Sequence, residues 1–138
     1  MALILVVEDD PMQREQYALY LRSRDGGEHQ VDEASSATVA VRLAKEKAYD
    51  LVLLDIMLAY APEDESNPEI DDFTVDYGRK MGVYVYGKLR ELPKPPQIGL
   101  VSVVDDYATL SEFPDAVGRL PKYFHLQALG EAVSVWLR

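Results

Sequence analysis

The stretch that most constrains the fold of this chain is residues 50–57, which read D-L-V-L-L-D-I-M. Leu51–Leu54 form an unbroken apolar run without alternation, the pattern of a strand whose two faces are both covered by helices in a parallel sheet. Asp55 follows at the carboxyl end of the run, where open parallel sheets bind their ligands. The run therefore predicts a central buried strand that ends in a carboxylate at a binding crevice.

The rest of the chain alternates predicted strands and helices. Further strands are predicted at residues 3–7, 30–34, 98–104 and 117–120. The first helix is predicted at residues 11–24, with Met12, Leu19 and Tyr20 facing inward. The second begins after a cap at Ser35 or Ser36. Three more helices are predicted at residues 83–92, at residues 105–113 and after Tyr123. Five strands alternating with five helices predict a doubly wound α/β fold with a parallel sheet in the flavodoxin-like order 2-1-3-4-5.

One long segment interrupts this rhythm after the third strand. Residues 59–81 contain seven acidic residues against two basic ones, with Pro62 and Pro68 between them. Loops of this length inside compact domains are uncommon and tend to be lids, binding loops or mobile insertions. We favour a solvated, mobile acidic insertion, with a lid over the crevice as the alternative.

Composition narrows the classes of function. The net charge of −10 opposes nonspecific binding to nucleic acid or anionic membranes. Because the chain has no cysteine, disulfides and thiolate metal sites are excluded. The first apolar run is short and ends in acids, so it fits neither a signal peptide nor a membrane span. We expect one cytoplasmic domain over residues 1–138. We expect no output domain in this chain, that is, no DNA-binding or enzymatic domain, so the chain would act through another protein.

Polar side chains follow the carboxyl ends of four predicted strands. Glu8 and Asp9 come after the first strand and Asp55 ends the third, and these two strands are neighbours in the predicted order. Such a cluster of carboxylates is costly without a cation, and Mg²⁺ is a hard ion that takes oxygen ligands. Ser102 ends the fourth strand and Lys122 follows the fifth. A carboxylate nucleophile, a metal, a lysine and a hydroxyl together indicate phosphoryl transfer.

At these residues the chain resembles the receiver domains of two-component response regulators. The matching segments are I-L-V-V-E-D-D-P at residues 4–11, Y-D-L-V-L-L-D-I-M-L at 49–58, L-V-S at 100–102 and L-P-K-Y-F at 120–124. They come in the family's order and cover nearly the whole chain except the acidic segment. The resemblance implies a signalling phosphoprotein rather than an enzyme, although such a domain contributes to its own phosphorylation and dephosphorylation.

The resemblance also implies a role for each acid. Asp55 resembles the aspartate that accepts a phosphoryl group from a sensor histidine kinase or a phosphotransfer protein. Asp9, Asp55 and the backbone carbonyl of Met57 would bind Mg²⁺ directly, while Glu8 would act mainly through water.

The remaining implied roles concern signalling. Ser102 resembles the hydroxyl that turns toward the phosphoryl group, and Lys122 the lysine that pairs with it. The expected partners are the kinase and an unknown downstream protein, with a homodimer formed on phosphorylation as a further expectation.

Four positions depart from the family pattern. Tyr123 stands where the family usually has proline, Arg119 where it has an aromatic switch residue, Val103 where it prefers a small residue, and Ala59 where it has proline. These departures keep a second interpretation open, in which a degenerate receiver acts as a phosphorylation-independent protein-binding module. A metal-dependent hydrolase on the same fold comes third, since no histidine is placed as a general base.

Overall fold

In the computed structural model, which describes residues 1–70, 79–103 and 107–138, five strands and five helices alternate along the described chain. The strands are β1 (Leu3–Val7), β2 (Gln30–Ala34), β3 (Leu51–Leu54), β4 (Gln97–Ser102) and β5 (Gly118–Pro121). The helices are α1 (Pro11–Arg22), α2 (Ala37–Glu46), α3 (Arg79–Arg90), α4 (Tyr107–Leu110) and α5 (Leu126–Trp136), and a short 3₁₀ helix spans Pro62–Asp64.

The strands form a single parallel sheet in the order β2-β1-β3-β4-β5. This confirms the predicted doubly wound, flavodoxin-like fold. In the register of the two central strands, Val7 of β1 lies beside Leu54 of β3. The residues that follow these two positions therefore emerge side by side at the carboxyl edge of the sheet.

The sheet is covered by helices on both faces. On one face Leu5, Val7, Val52 and Leu54 pack with residues of α2 and α3, and on the other Ile4, Val6, Leu51 and Leu53 pack with residues of α1 and α5. All four residues of β3 are buried, which explains why this strand reads as an unbroken apolar run. Among the described residues, no helix has the length and apolar character needed to cross a lipid bilayer.

Helix α1 begins as predicted at Pro11, but its inward face was predicted wrongly. Met12 and Leu19 are 76% and 70% exposed, and Tyr20 is only partly buried at the edge of the core. The residues that face the sheet are Tyr17, Ala18 and Leu21. At 100° per residue these three share one stripe, whereas Met12 and Leu19 lie on the opposite side of the helix.

The described part of the acidic segment is largely exposed, as a solvated loop would be, but two of its residues are anchored inside the protein. Asp64 and Ile70 are fully buried, residues 62–64 form the 3₁₀ helix, and α3 already begins at Arg79. The physical reason is that Ile70 joins the apolar core and the Asp64 carboxylate has hydrogen-bond donors inside the protein. Residues 71–78, and residues 104–106 at the predicted start of the fourth helix, lie outside the described residues. The insertion as such stays a prediction.

Helix α5 packs onto the sheet through Trp136. The indole lies over β4 and β5 at two positions that lack a side chain, Gly99 and Gly118, and a Cβ added at Gly99 would lie 2.5 Å from the ring. Leu129 and Val133 complete the buried face of this helix. The strand β4 and the edge strand β5 thus make room for the only tryptophan of the chain.

Candidate functional site

The strand register brings the predicted site residues to one edge of the sheet. Because Val7 pairs with Leu54, Glu8 and Asp55 leave the sheet together. On the other side, Ser102 at the end of β4 pairs with the last residue of β5, and the backbone N–H of Lys122 donates to the carbonyl of Ser102 at 3.1 Å. The crevice between these strand ends is where a doubly wound sheet binds ligands.

The three predicted carboxylates lie close together. Glu8, Asp9 and Asp55 each offer an oxygen, and these oxygens all lie within 4.8 Å of one another. Glu8 and Asp55 are buried, with only 3% and 5% of their surface exposed, and Asp9 is half-buried. This acid pocket is defined here as Glu8, Asp9 and Asp55.

Lys122 reaches into the acid pocket. Its Nζ lies 2.7 Å from Glu8 Oε2 and 3.2 Å from Asp55 Oδ2, and the lysine side chain is 8% exposed. Burial by itself lowers the pKa of Lys122, but the charge of Asp55 and the hydrogen bond to Glu8 outweigh burial and hold the pKa above its ordinary value. The ammonium is therefore charged at neutral pH and bridges two buried carboxylates.

One lysine does not neutralise the acid pocket. With all groups ionised, three carboxylates and one ammonium leave 3 − 1 = 2 negative charges among Glu8, Asp9, Asp55 and Lys122. Burial and the nearby charge of Asp55 raise the pKa of Glu8 to about 7, although the hydrogen bond from Lys122 opposes the increase. A divalent cation with a preference for oxygen ligands would balance this charge, so the donor set fits Mg²⁺.

The backbone next to Asp55 is fixed by two hydrogen bonds. The N–H of Asp55 donates to the carbonyl of Val7 at 3.1 Å. The N–H of Met57 donates back to Asp55 Oδ1 at 3.0 Å. One carboxylate oxygen is thus held by the chain that follows it, while the other contacts Lys122, and Met57 lies directly beside the acid pocket.

Two residues that support the pocket were missed in the sequence. Asp10 caps α1, since its Oδ1 accepts from the N–H of Met12 at 2.9 Å. Arg14 donates from Nη1 to the carbonyl of Glu8 at 3.0 Å and pairs through Nε with Glu33 of β2 at 3.3 Å. A positive charge in the first turn of a helix interacts unfavourably with the helix dipole. This unfavourable position is the sequence signal that Arg14 makes a specific contact elsewhere.

Three of the four departures from the family pattern, Val103, Arg119 and Tyr123, lie in or next to β4 and β5. Arg119 Nη2 donates to the carbonyl of Ser102 at 3.3 Å, and its Nε is buried without a hydrogen-bond partner in the described part of the chain. Val103 and Tyr123 are 53% and 84% exposed. The peptide bond between Lys122 and Tyr123 is cis although no proline is present.

Comparisons with known proteins agree with this fold. A family model described as the response regulator receiver domain matches residues 4–61. The sensory transduction protein LytR of Staphylococcus haemolyticus is 28% identical over 130 residues, which cover 94% of this chain and 43% of LytR. The chain thus spans less than half the length of this relative.

Two solved structures illustrate the similarity of fold. A CheY-like receiver domain protein from Methanospirillum hungatei is 17% identical, with a TM-score of 0.76 over 99% of this chain and 94% of that one. The response regulator TrrA of Thermotoga maritima, solved in complex with Mg²⁺-BeF, is 25% identical, with a TM-score of 0.71 over 99% of both chains.

The strand order and the acid pocket at its switch point define a doubly wound α/β protein with a carboxylate site. Together with the family match over residues 4–61, they make the chain similar to the response regulator receiver domains. Receiver domains are generally non-enzymatic signalling modules of two-component systems, which bind Mg²⁺ at an acidic pocket and interact with histidine kinases and downstream effectors.

Proposed function

We propose that residues 1–138 form a single receiver domain in which Asp55 accepts a phosphoryl group, with Mg²⁺, from a histidine kinase or a phosphotransfer protein. The observation that carries this proposal is the position of Asp55, whose carboxylate lies 3.2 Å from Lys122 Nζ and within the cluster formed with Glu8 and Asp9. A nucleophilic carboxylate, a site for a cation and a lysine are the parts that phosphoryl transfer requires.

In this proposal the acid pocket holds the cation. Asp9, Asp55 and the backbone carbonyl of Met57 would bind Mg²⁺ directly, and Glu8 would contribute through water. When bound, Mg²⁺ supplies positive charge that offsets the carboxylates and the oxygens of the incoming phosphoryl group. The two negative charges that Lys122 leaves unbalanced support this assignment.

The transfer step follows from the groups present. An oxygen of Asp55 forms a bond to phosphorus while the phosphorus–nitrogen bond of the donor phosphohistidine breaks. The electron pair of that bond stays on the imidazole nitrogen, which takes up a proton. Lys122 then pairs with the new phosphoryl oxygens, and the hydroxyl of Ser102 turns toward them.

The signal passes from this site to the ends of β4 and β5. The carbonyl of Ser102 accepts from both the N–H of Lys122 and the guanidinium of Arg119. A shift of Ser102 or Lys122 toward the phosphoryl group therefore changes contacts on both strands and biases a two-state equilibrium of the surface around them. Output goes to a downstream protein that recognises this surface.

Intact-mass spectrometry tests the proposal. The chain is incubated with a small phosphodonor such as phosphoramidate, with Mg²⁺ and separately with EDTA. We expect one added phosphoryl group in the wild-type chain with Mg²⁺ and none in Asp55→Asn. The exposed carboxylate variant Asp25→Asn is a matched control and should react like wild type. An adduct that persists in Asp55→Asn would contradict the proposal.

A second candidate function is a protein-binding module that does not depend on phosphorylation. The observation in its favour is Arg119, a permanently charged residue that already holds the carbonyl of Ser102. The two candidates differ in their response to beryllofluoride, which mimics a phosphoryl group. Mg²⁺-dependent changes in NMR chemical shifts across β4, β5 and α5 are expected for the switch, and unchanged spectra for the module.

A further inference from the structure

Asp64 is a fully buried carboxylate that is not part of the acid pocket. Its Oδ1 accepts from the backbone N–H of Thr38 at 3.1 Å and from Thr38 Oγ1 at 2.7 Å, and its Oδ2 accepts from the N–H of Ala61 at 2.9 Å. Thr38 lies in the first turn of α2, where backbone N–H groups lack partners within the helix and the dipole favours a negative charge. Asp64 therefore fastens the 3₁₀ helix to α2, and we call the pair Thr38 and Asp64 the clasp.

The same segment is also connected to α3. Asn67 Nδ2 donates to Thr38 Oγ1 at 3.3 Å and to the hydroxyl of Tyr84 at 3.2 Å. The hydroxyl of Tyr84 donates to Glu69 Oε2 at 3.1 Å, and Lys88 pairs with the same oxygen at 3.0 Å. Helices α2 and α3, on one face of the sheet, are thus joined through the segment that follows β3.

Only residues 56–60 separate Asp55 from Ala61, whose N–H donates to Asp64 of the clasp. At about 3.3 Å per residue this is a short tether, and most of it is held in place. Ile56 and Leu58 are fully buried, and the N–H of Met57 is bonded to Asp55 Oδ1. Ala59 and Tyr60 are exposed, and along the chain a displacement at Ala61 reaches Met57 through the backbone of residues 58–60.

We propose that Thr38 and Asp64 are positioning residues for the cation site, because they hold the backbone of Met57 where its carbonyl binds Mg²⁺. The inference rests on the proposed function, which assigns that role to Met57. Neither residue touches the acid pocket, so both act through the tether. Loss of the clasp leaves the carboxylates of Glu8, Asp9 and Asp55 in place and loosens the backbone ligand alone.

Calorimetric titration of Mg²⁺ into the full chain tests this inference. We expect Thr38→Val, which removes the hydroxyl at nearly constant volume, and Asp64→Ala to weaken Mg²⁺ binding by about tenfold, the lower end of the range for residues that orient metal ligands. Thr38→Ser keeps the hydroxyl and should bind Mg²⁺ like wild type. Glu63→Ala removes an exposed acid from the same 3₁₀ helix and controls for the change in charge.

Unfolding in urea, measured on the same variants, separates positioning from stability. A purely structural clasp would lower the free energy of unfolding but leave the Kd of the folded protein for Mg²⁺ unchanged. Wild-type affinity in a folded Thr38→Val variant would overturn the inference alone, and this variant decides the matter if Asp64→Ala does not fold. Absence of Mg²⁺ binding by the wild-type chain would overturn the proposed function and the inference with it.

Discussion

Replacing Gly82 with alanine is expected to destabilise the protein, although alanine is the better helix former. Gly82 lies in α3 against the backbone of Ile56, the residue after Asp55. A Cβ at Gly82 would lie 2.5 Å from the carbonyl oxygen and 2.8 Å from the Cα of Ile56, roughly 1 Å below the optimal contact distance of about 3.5 Å. Because both atoms belong to the backbone, no side-chain rotation relieves the clash.

Two opposing effects set the magnitude. The gain in helix propensity from glycine to alanine is about 1 kcal/mol. Forcing an extra carbon into a packed interior costs about 1 to 3 kcal/mol, and the upper half of that range applies because α3 or the loop at Ile56 has to move. We therefore expect Gly82→Ala to lower the free energy of unfolding by about 1 to 2 kcal/mol.

The matched control lies in the same helix. A Cβ at Gly87 would have no atom within 4 Å, so Gly87→Ala should gain about 0.5 to 1 kcal/mol from propensity alone. Urea unfolding followed by far-UV circular dichroism measures both variants. The reasoning is refuted if Gly82→Ala is as stable as Gly87→Ala. Gly82→Ala should also bind Mg²⁺ more weakly, since Ile56 adjoins Asp55.

Three further perturbations address the site and the core. Lys122→Ala should retain Mg²⁺ binding but lose the beryllofluoride-induced conformation, because its charge is needed once the phosphoryl group is present; an unchanged NMR response to beryllofluoride would contradict this role. Trp136→Ala should lower the free energy of unfolding by about 3 to 5 kcal/mol in urea, since it empties the slot over β4 and β5. Burial raises the pKa of Asp32, but hydrogen bonds from Lys47 and Tyr49 outweigh it and hold the pKa below the ordinary 3.8. Asp32→Asn should therefore lower the free energy of unfolding by about 1 to 3 kcal/mol at neutral pH. This loss of stability should shrink as the pH falls below 3.8, because the wild-type carboxylate is then protonated. A loss that does not change with pH would contradict the assignment.

The sheet and the placement of the acids were predictable from local patterns. An apolar run with no alternation fits a strand covered on both faces, and an acid at the end of such a run has to emerge at the carboxyl edge. The same reasoning placed Ser102 and Lys122 beside the crevice. What the patterns did not predict is that Lys122 bridges Glu8 and Asp55 before any phosphoryl group is present, because that depends on side-chain conformation.

The acidic segment shows where sequence patterns fail. Its composition is typical of a solvated loop, and it hides one buried carboxylate among several exposed ones. Asp64 is buried because Thr38, 26 residues earlier in the chain, supplies two hydrogen bonds to it, and a contact of this range leaves no local pattern. Ile70, an isolated apolar residue, and Pro62, a residue favoured at the start of helices, were the only local signs of order.

The most direct test of the account is to identify the phosphorylated residue chemically. Borohydride reduces the acyl phosphate of an aspartate to homoserine, which peptide mass spectrometry locates in the chain. After incubation with phosphoramidate and Mg²⁺, we expect homoserine at position 55 and nowhere else, and none when EDTA replaces Mg²⁺. Homoserine at another acidic residue, or a phosphoryl adduct that yields none at position 55, would contradict the assignment of Asp55 as the phosphoacceptor.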